Sequence, residues 1–168
     1  MFILDTMNGL DISEIRRKYE EYNRYLENIK DQLPSGIREY ALAPWHYQVG
    51  LRDARCPHDA WVESLEISEI AAQESVETRQ VHITLQLLNA FHTAHLKFIY
   101  TGVSSYTVSM ADVTNSPLHD SVNRGHNDWL IDEIRLTSER RIVHEIVFAL
   151  GSHWTIESEG MSFEFIPR

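Results

Sequence analysis

The first regular pattern of apolar side chains runs from residue 11 to residue 33. Apolar or aromatic residues recur there at alternating steps of three and four, at Ile12, Ile15, Tyr19, Tyr22, Leu26, Ile29 and Leu33. This spacing places all of them on one helical face. Asp11 and Glu14 have the spacing of a capping box, and Pro34 follows the last apolar position. We predict a helix over 11–33; the same spacing is also a short coiled-coil seam, which makes dimerisation the alternative.

From about residue 61 the pattern changes to the period of two that is typical of β-strands. The clearest case is "RQVHITLQLL", in which Val81, Ile83, Leu85 and Leu87 share one face. Strand-like segments are found at 61–69, 79–88, 92–106, 105–113, 129–136, 141–150, 151–158 and 159–167. We interpret the last two as a hairpin that turns at Glu159 and Gly160.

One helix followed by many closely spaced strands indicates an α+β fold. We predict a single domain over residues 1–168, in which a long N-terminal helix packs on a mainly antiparallel, meander-like sheet spanning about 61–166. The predicted core consists of Ile15, Tyr19, Tyr22, Leu26, Val81, Ile83, Leu85, Phe98, Ile134, Ile146, Phe148, Ile156 and Phe163.

Charge and composition restrict the class of partner. The chain has 25 acidic and 15 basic residues, a net charge of −10, which disfavours nucleic acid and anionic membrane surfaces and suits a basic protein partner. Its one cysteine, Cys56, permits no internal disulfide. The N-terminus lacks the basic region of a signal peptide, and no apolar run reaches transmembrane length. We therefore expect a cytoplasmic protein, as a monomer or a homodimer.

The chain lacks the phosphate-binding loop, the dinucleotide fingerprint, the G-x-S-x-G nucleophile elbow and the H-E-x-x-H zinc motif. We therefore assign no catalytic residue and no cofactor, and we expect a non-enzymatic protein. The alternative is a protein, such as a hydrolase, that binds a metal or another small ligand through two His-Asp pairs and a further histidine. Its candidate ligands are His58, Asp59, His119, Asp120 and His126. Turn chemistry explains the same Pro-, Gly- and Asn-rich segments without a ligand, and we favour it.

Acidic side chains interleaved with tryptophans in the strand region suggest a surface for protein recognition. Such a surface combines aromatic anchors with charge complementarity to a basic partner. The candidate partner-binding residues are Trp61, Glu63, Glu66, Trp129, Asp132, Glu133, Glu157 and Glu164.

The C-terminal third resembles small uncharacterised bacterial proteins of immunity-protein type. The segments that carry the resemblance are "WLIDEIRL", "RIVHEIVF" and "HWTIES", with "LHDS" before them. Immunity proteins neutralise a partner toxin, so the resemblance implies an inhibitor that binds a protein, and it implies no active-site residues. The sequence therefore predicts a protein-binding module of immunity type that presents an acidic surface.

Overall fold

A computed structural model describes residues 3–4, 11–47, 53–71, 77–110 and 125–168 of the chain. Its helices and strands are α1 (Ile12–Ile29), α2 (Ser35–Ala41), β1 (Trp61–Ala71), β2 (Arg79–Leu88), β3 (Ala94–Val108), β4 (Trp129–Leu136), β5 (Ile142–Phe148) and β6 (His153–Pro167). The N-terminal helix and the antiparallel sheet confirm the predicted α+β class. Neither helix of the described chain has the length and apolar character needed to cross a membrane.

The six strands form one antiparallel sheet in the order β1-β2-β3-β6-β5-β4. Two three-stranded meanders are joined by the long pairing of β3 with β6, so β1 and β4 are the edge strands. The sheet curls so that its two edges meet at one end. The N–H of Asp59 donates to the carbonyl of Trp129 at 2.9 Å, and the N–H of Trp129 donates to the carbonyl of Ala60 at 3.0 Å. The two edge strands therefore begin beside each other.

Helix α1 begins as predicted. The side chain of Asp11 accepts hydrogen bonds from the backbone N–H groups of Ser13 and Glu14, which caps the first turn. The helix ends at Ile29, before the predicted end at residue 33, and a short turn leads into α2. Ile12, which continues the apolar pattern, is 79% exposed, so the face that packs on the sheet starts later in the helix.

The predicted hairpin over 151–167 is wrong, because β6 is a single strand through Glu159 and Gly160. Gly160 lies opposite Thr101 in the ladder with β3. A Cβ atom at Gly160 would clash with the hydroxyl oxygen of Thr101. The glycine that looked like a turn residue therefore lies at a close cross-strand contact with Thr101.

The core lies between the two helices and one face of the sheet. Most of the predicted core residues are buried in it. The exceptions are only partly buried: Tyr19, Val81 and Phe163, which pack against the core, and Ile15.

Helix α2 approaches β6 closely at Gly36. A Cβ atom at this position would lie 2.9 Å from Cβ of Ser162 and 3.3 Å from the carbonyl oxygen of Met161. We expect Gly36→Ala to lower the free energy of unfolding by about 1–3 kcal/mol through this overlap, although alanine favours helices. Chemical denaturation measures the change, with Ser35→Ala in the same exposed turn as the control. A stabilised Gly36→Ala protein would contradict this packing.

Candidate functional site

The most polar point of the core is the carboxylate of Asp132 in β4, a residue that is 1% exposed. Nε2 of His46 lies 2.9 Å from Oδ1, and Nε2 of His144 lies 3.0 Å from Oδ2. The hydroxyl of Tyr40 and the indole N–H of Trp129 each donate to the carboxylate at 3.2 Å. All four donor residues are buried. This number of donors compensates a buried negative charge for its lost hydration.

The charge state of Asp132 follows from these contacts. Burial alone would raise the pKa of the carboxyl, but the charge of His46 and the hydrogen bonds from both histidines outweigh it and hold the pKa well below its usual range. Because the ionised carboxylate only accepts hydrogen bonds, Nε2 of His46 and of His144 carries the hydrogen. The hydroxyl of Tyr100 lies 2.7 Å from Nδ1 of His144 and extends the network. Burial raises the pKa of Tyr100 well above its usual value, so this hydroxyl stays protonated.

The pairing of β4 with β5 places two members of the network in the sheet. Ile134 lies opposite His144, and Asp132 lies opposite Ile146. Paired residues of an antiparallel ladder share a face, and so do alternate residues of one strand. Asp132 and His144 therefore lie in the row that faces the core, beside buried isoleucines.

The third member, His46, comes from the turn that follows α2. Its ring stacks on that of Tyr47 with centroids 3.8 Å apart and packs on Tyr40 at 4.0 Å. The thiol of Cys56 donates to the carbonyl of His46 at 3.3 Å. Burial raises the pKa of this thiol, and its hydrogen bond links Cys56 to the turn that carries His46.

Side chains cover the free edge of β4. They bind backbone groups of every second residue of the strand. His58 binds the carbonyl of Leu130 at 2.8 Å, and Tyr47 binds the carbonyl of Asp132 at 3.2 Å. Tyr22 binds the carbonyl of Ile134 at 3.2 Å and its N–H at 2.6 Å, and Tyr25 binds the N–H of Leu136 at 2.8 Å. These are the groups that would otherwise pair with another strand. The β4 edge is therefore closed.

The opposite edge strand, β1, is different. Apart from its ladder with β2, no backbone-to-backbone hydrogen bond within the described ranges reaches residues 61–71. Trp61 is 48% exposed, and Ile67 and Ile70 are each 43% exposed. Glu66 and Glu69 are exposed as well. Beyond its start beside Trp129, β1 therefore presents an open edge with both apolar and acidic side chains.

The other predicted partner-binding glutamates lie on the sheet with partners of their own. Glu63 accepts hydrogen bonds from Gln86 at 3.1 Å and His95 at 2.7 Å. Burial would raise the pKa of Glu63, but these hydrogen bonds hold it below the usual value. Glu157 pairs with Arg141, and Glu164 is exposed with Lys97 at 3.7 Å. Among the predicted acidic residues, only Glu66 adjoins the open edge without an ion-pair partner in the part of the chain that the structure describes.

Three residues predicted to face outward are buried, and that part of the prediction is wrong. Trp129 and Glu133 are 0% exposed and Asp132 is 1% exposed. Trp129 and Asp132 belong to the core network, while Glu133 accepts a hydrogen bond from the N–H of Leu4 and lies 3.4 Å from Arg135. Partners distant in sequence make burial of these charges possible, and strand periodicity alone does not reveal them.

The candidate metal ligands form no cluster in the described chain. His58 and Asp59 lie 3.4 Å apart, but Nδ1 of His58 is bound to the carbonyl of Leu130. His126 packs against Phe148 and Trp154, and its burial lowers its pKa. His119 and Asp120 lie outside the described residues. Within the described ranges, no three His, Cys, Asp or Glu side chains are placed to hold a metal ion.

The sequence interpretation passed over two residues of the network, His46 and His144. A signal existed for His144, which occupies the apolar row of Ile142, Ile146 and Phe148. No comparable signal marks His46, because its partner lies 86 residues away.

Comparisons with protein-family models, with curated proteins and with solved structures found no match.

Proposed function

We propose that this protein is a non-enzymatic, cytoplasmic protein-binding module of immunity type, which recognises an extended basic segment of its partner along the open edge of β1. The partner segment adds a strand to the sheet, so that main-chain hydrogen bonds supply affinity and side chains supply selectivity. The observation that carries the proposal is the contrast between the two edges. Side chains bind the backbone of β4 along its whole length, whereas on β1 the described chain places one such contact, from Arg79 to the carbonyl of Glu69 at 3.2 Å.

The charge of the β1 edge selects the kind of partner. Glu66 and Glu69 lie on opposite faces of the strand, because Glu66 pairs with Thr84 and Glu69 with Val81. Neither has an ion-pair partner among the described residues. A strand with basic side chains on both faces therefore meets a carboxylate on each, and opposite charges in adjacent strands attract.

A second copy of this chain fits the edge less well than a basic segment does. If two β1 strands paired antiparallel about Glu66, the two copies of Glu66 would face each other and Glu63 would lie near Glu69. Like charges placed opposite one another destabilise a strand pair. The overall charge of −10 acts in the same direction.

The test uses a ten-residue peptide in which pairs of lysines alternate with pairs of valines, so that both faces of the strand carry lysines. Calorimetry at low salt measures its binding. We expect the double substitution Glu66→Lys and Glu69→Lys to weaken binding by about tenfold or more, because it replaces attraction by repulsion. The matched control is Glu20→Lys with Glu139→Lys, which changes the net charge equally at exposed positions away from β1.

A second peptide separates strand pairing from simple charge attraction. N-methylation of alternate residues keeps the lysines but removes the N–H groups needed for a ladder, so this peptide should bind much more weakly. Equal weakening by both pairs of substitutions, or equal binding of both peptides, would contradict recognition at the β1 edge. A dimer in sedimentation experiments that disappears when β1 is altered would identify a second copy as the occupant instead.

A further inference from the structure

A second binding site is indicated by a polar atom of the buried network. Nδ1 of His46 is buried and has no hydrogen-bond partner among the described residues, although the side chain is 0% exposed and Nε2 is bound to Asp132. A buried nitrogen without a partner costs about 1–3 kcal/mol, and such atoms are rare in folded proteins. The atom therefore calls for a ligand.

The same side chain lines a cleft of about 310 Å³ beside the start of β4. Its volume lies at the lower end of the range for small-molecule sites. The walls are mainly apolar or aromatic, with Tyr19, Tyr47, Trp129 and Leu130 among them. The cleft therefore suits a small, flat molecule.

Most polar groups of the cleft wall are already used within the protein. The hydroxyl oxygen of Tyr47 lies 3.2 Å from the hydroxyl of Tyr22 and 3.2 Å from the carbonyl oxygen of Asp132, so its one hydrogen is shared between these two acceptors. The carboxylate of Asp132 accepts from its four donors, and Nδ1 of His58 is bound to Leu130. Nδ1 of His46 is thus the buried polar atom of the wall that is left for a ligand.

We propose that this cleft binds a small aromatic molecule with a weakly acidic hydroxyl group, whose oxygen hydrogen-bonds to Nδ1 of His46. A neutral imidazole accepts the hydroxyl hydrogen at Nδ1, and a protonated imidazole donates to the ionised oxygen, so a phenol matches either state. Asp132 is a positioning residue, because its bond to Nε2 fixes the orientation of the ring. The site does not depend on the β1 edge.

The probe is 4-nitrophenol, whose absorption spectrum reports whether its hydroxyl is ionised. We expect saturable binding to the intact protein, and about tenfold weaker binding of 4-nitrotoluene, in which a methyl group replaces the hydroxyl. His46→Gln keeps an N–H near the position of Nε2 but lacks Nδ1. It should weaken 4-nitrophenol binding by about tenfold and leave 4-nitrotoluene binding unchanged.

Ile15→Trp is an independent variant that fills the cleft from α1 and leaves His46 intact. Ile15 is only partly buried, so this protein should fold and should lose binding of both compounds. Equal affinity of the intact protein for 4-nitrophenol and 4-nitrotoluene would overturn the proposal. The proposal would also be overturned if the intact protein did not bind 4-nitrophenol, or if Ile15→Trp bound it as tightly as the intact protein does. Near-ultraviolet circular dichroism verifies that each variant is folded.

Discussion

Replacing Asp132 by asparagine is expected to lower the free energy of unfolding by about 3 kcal/mol or more. The carboxylate accepts hydrogen bonds from His46, His144, Tyr40 and Trp129. Asparagine has the same shape but offers one acceptor oxygen, and its amide hydrogens face existing donors. Urea denaturation measures the loss. The control Asp31→Asn, at an exposed position, should change the stability little.

The pH dependence of stability gives a separate check on Asp132. In the unfolded chain its carboxyl binds a proton near the ordinary pKa of about 3.9, whereas the folded protein holds the pKa lower. Its contribution is therefore complete above about pH 5 and is lost as the pH falls through the folded-state pKa. Between about pH 5 and pH 3, the stability of the unaltered protein should fall more steeply than that of Asp132→Asn. Parallel curves would refute an ionised Asp132.

Tyr22→Phe is expected to lower the free energy of unfolding by about 2 kcal/mol. The hydroxyl of Tyr22 accepts from the N–H of Ile134 at 2.6 Å and lies 3.2 Å from its carbonyl oxygen. Phenylalanine keeps the ring in α1 but leaves both backbone groups buried without this partner. Thermal and chemical denaturation measure the effect.

Tyr106→Phe is the matched control, because Tyr106 is 46% exposed and its hydroxyl has no hydrogen-bond partner in the described structure. It should leave the stability nearly unchanged. If Tyr22→Phe were equally neutral, the tyrosine cover of β4 would contribute nothing, and the contrast between the two edges of the sheet would lose its physical basis.

Local patterns predicted most of the elements. The three-and-four spacing of Ile15, Tyr19, Tyr22 and Leu26 located α1, and Asp11 fixed its start. The period of two located β2 and the central part of β3. These signals lie within single elements, so each can be recognised without knowing its neighbours.

The errors arose where a residue's environment depends on distant parts of the chain. Gly160 looked like a turn residue because its neighbour Thr101 lies on another strand. Asp132 looked exposed because its partner His46 lies 86 residues earlier in the sequence. The order of strands in the sheet also decides which strands lie at its edges. The apolar pattern of β1 alone does not predict that β1 is an edge strand.

The two edges of the sheet differ in how far side chains cover their backbone, and the proposed function rests on this difference. Side chains of α1 and of the loops cover β4, which removes one site for an added strand. Natural proteins protect such edges, and in our proposal the open edge of β1 is therefore where a partner strand pairs. In the same proposal, Glu66 and Glu69 favour a basic partner over a second copy of the chain.

Amide hydrogen exchange in the presence of the lysine–valine peptide tests this account most directly. Strand addition at β1 protects the backbone N–H groups that point away from β2. We predict slower exchange within Trp61–Ala71 when the peptide binds and unchanged exchange within Trp129–Leu136. Unchanged exchange in β1 at saturating peptide, or new protection in β4 alone, would contradict the assignment of the β1 edge as the binding surface.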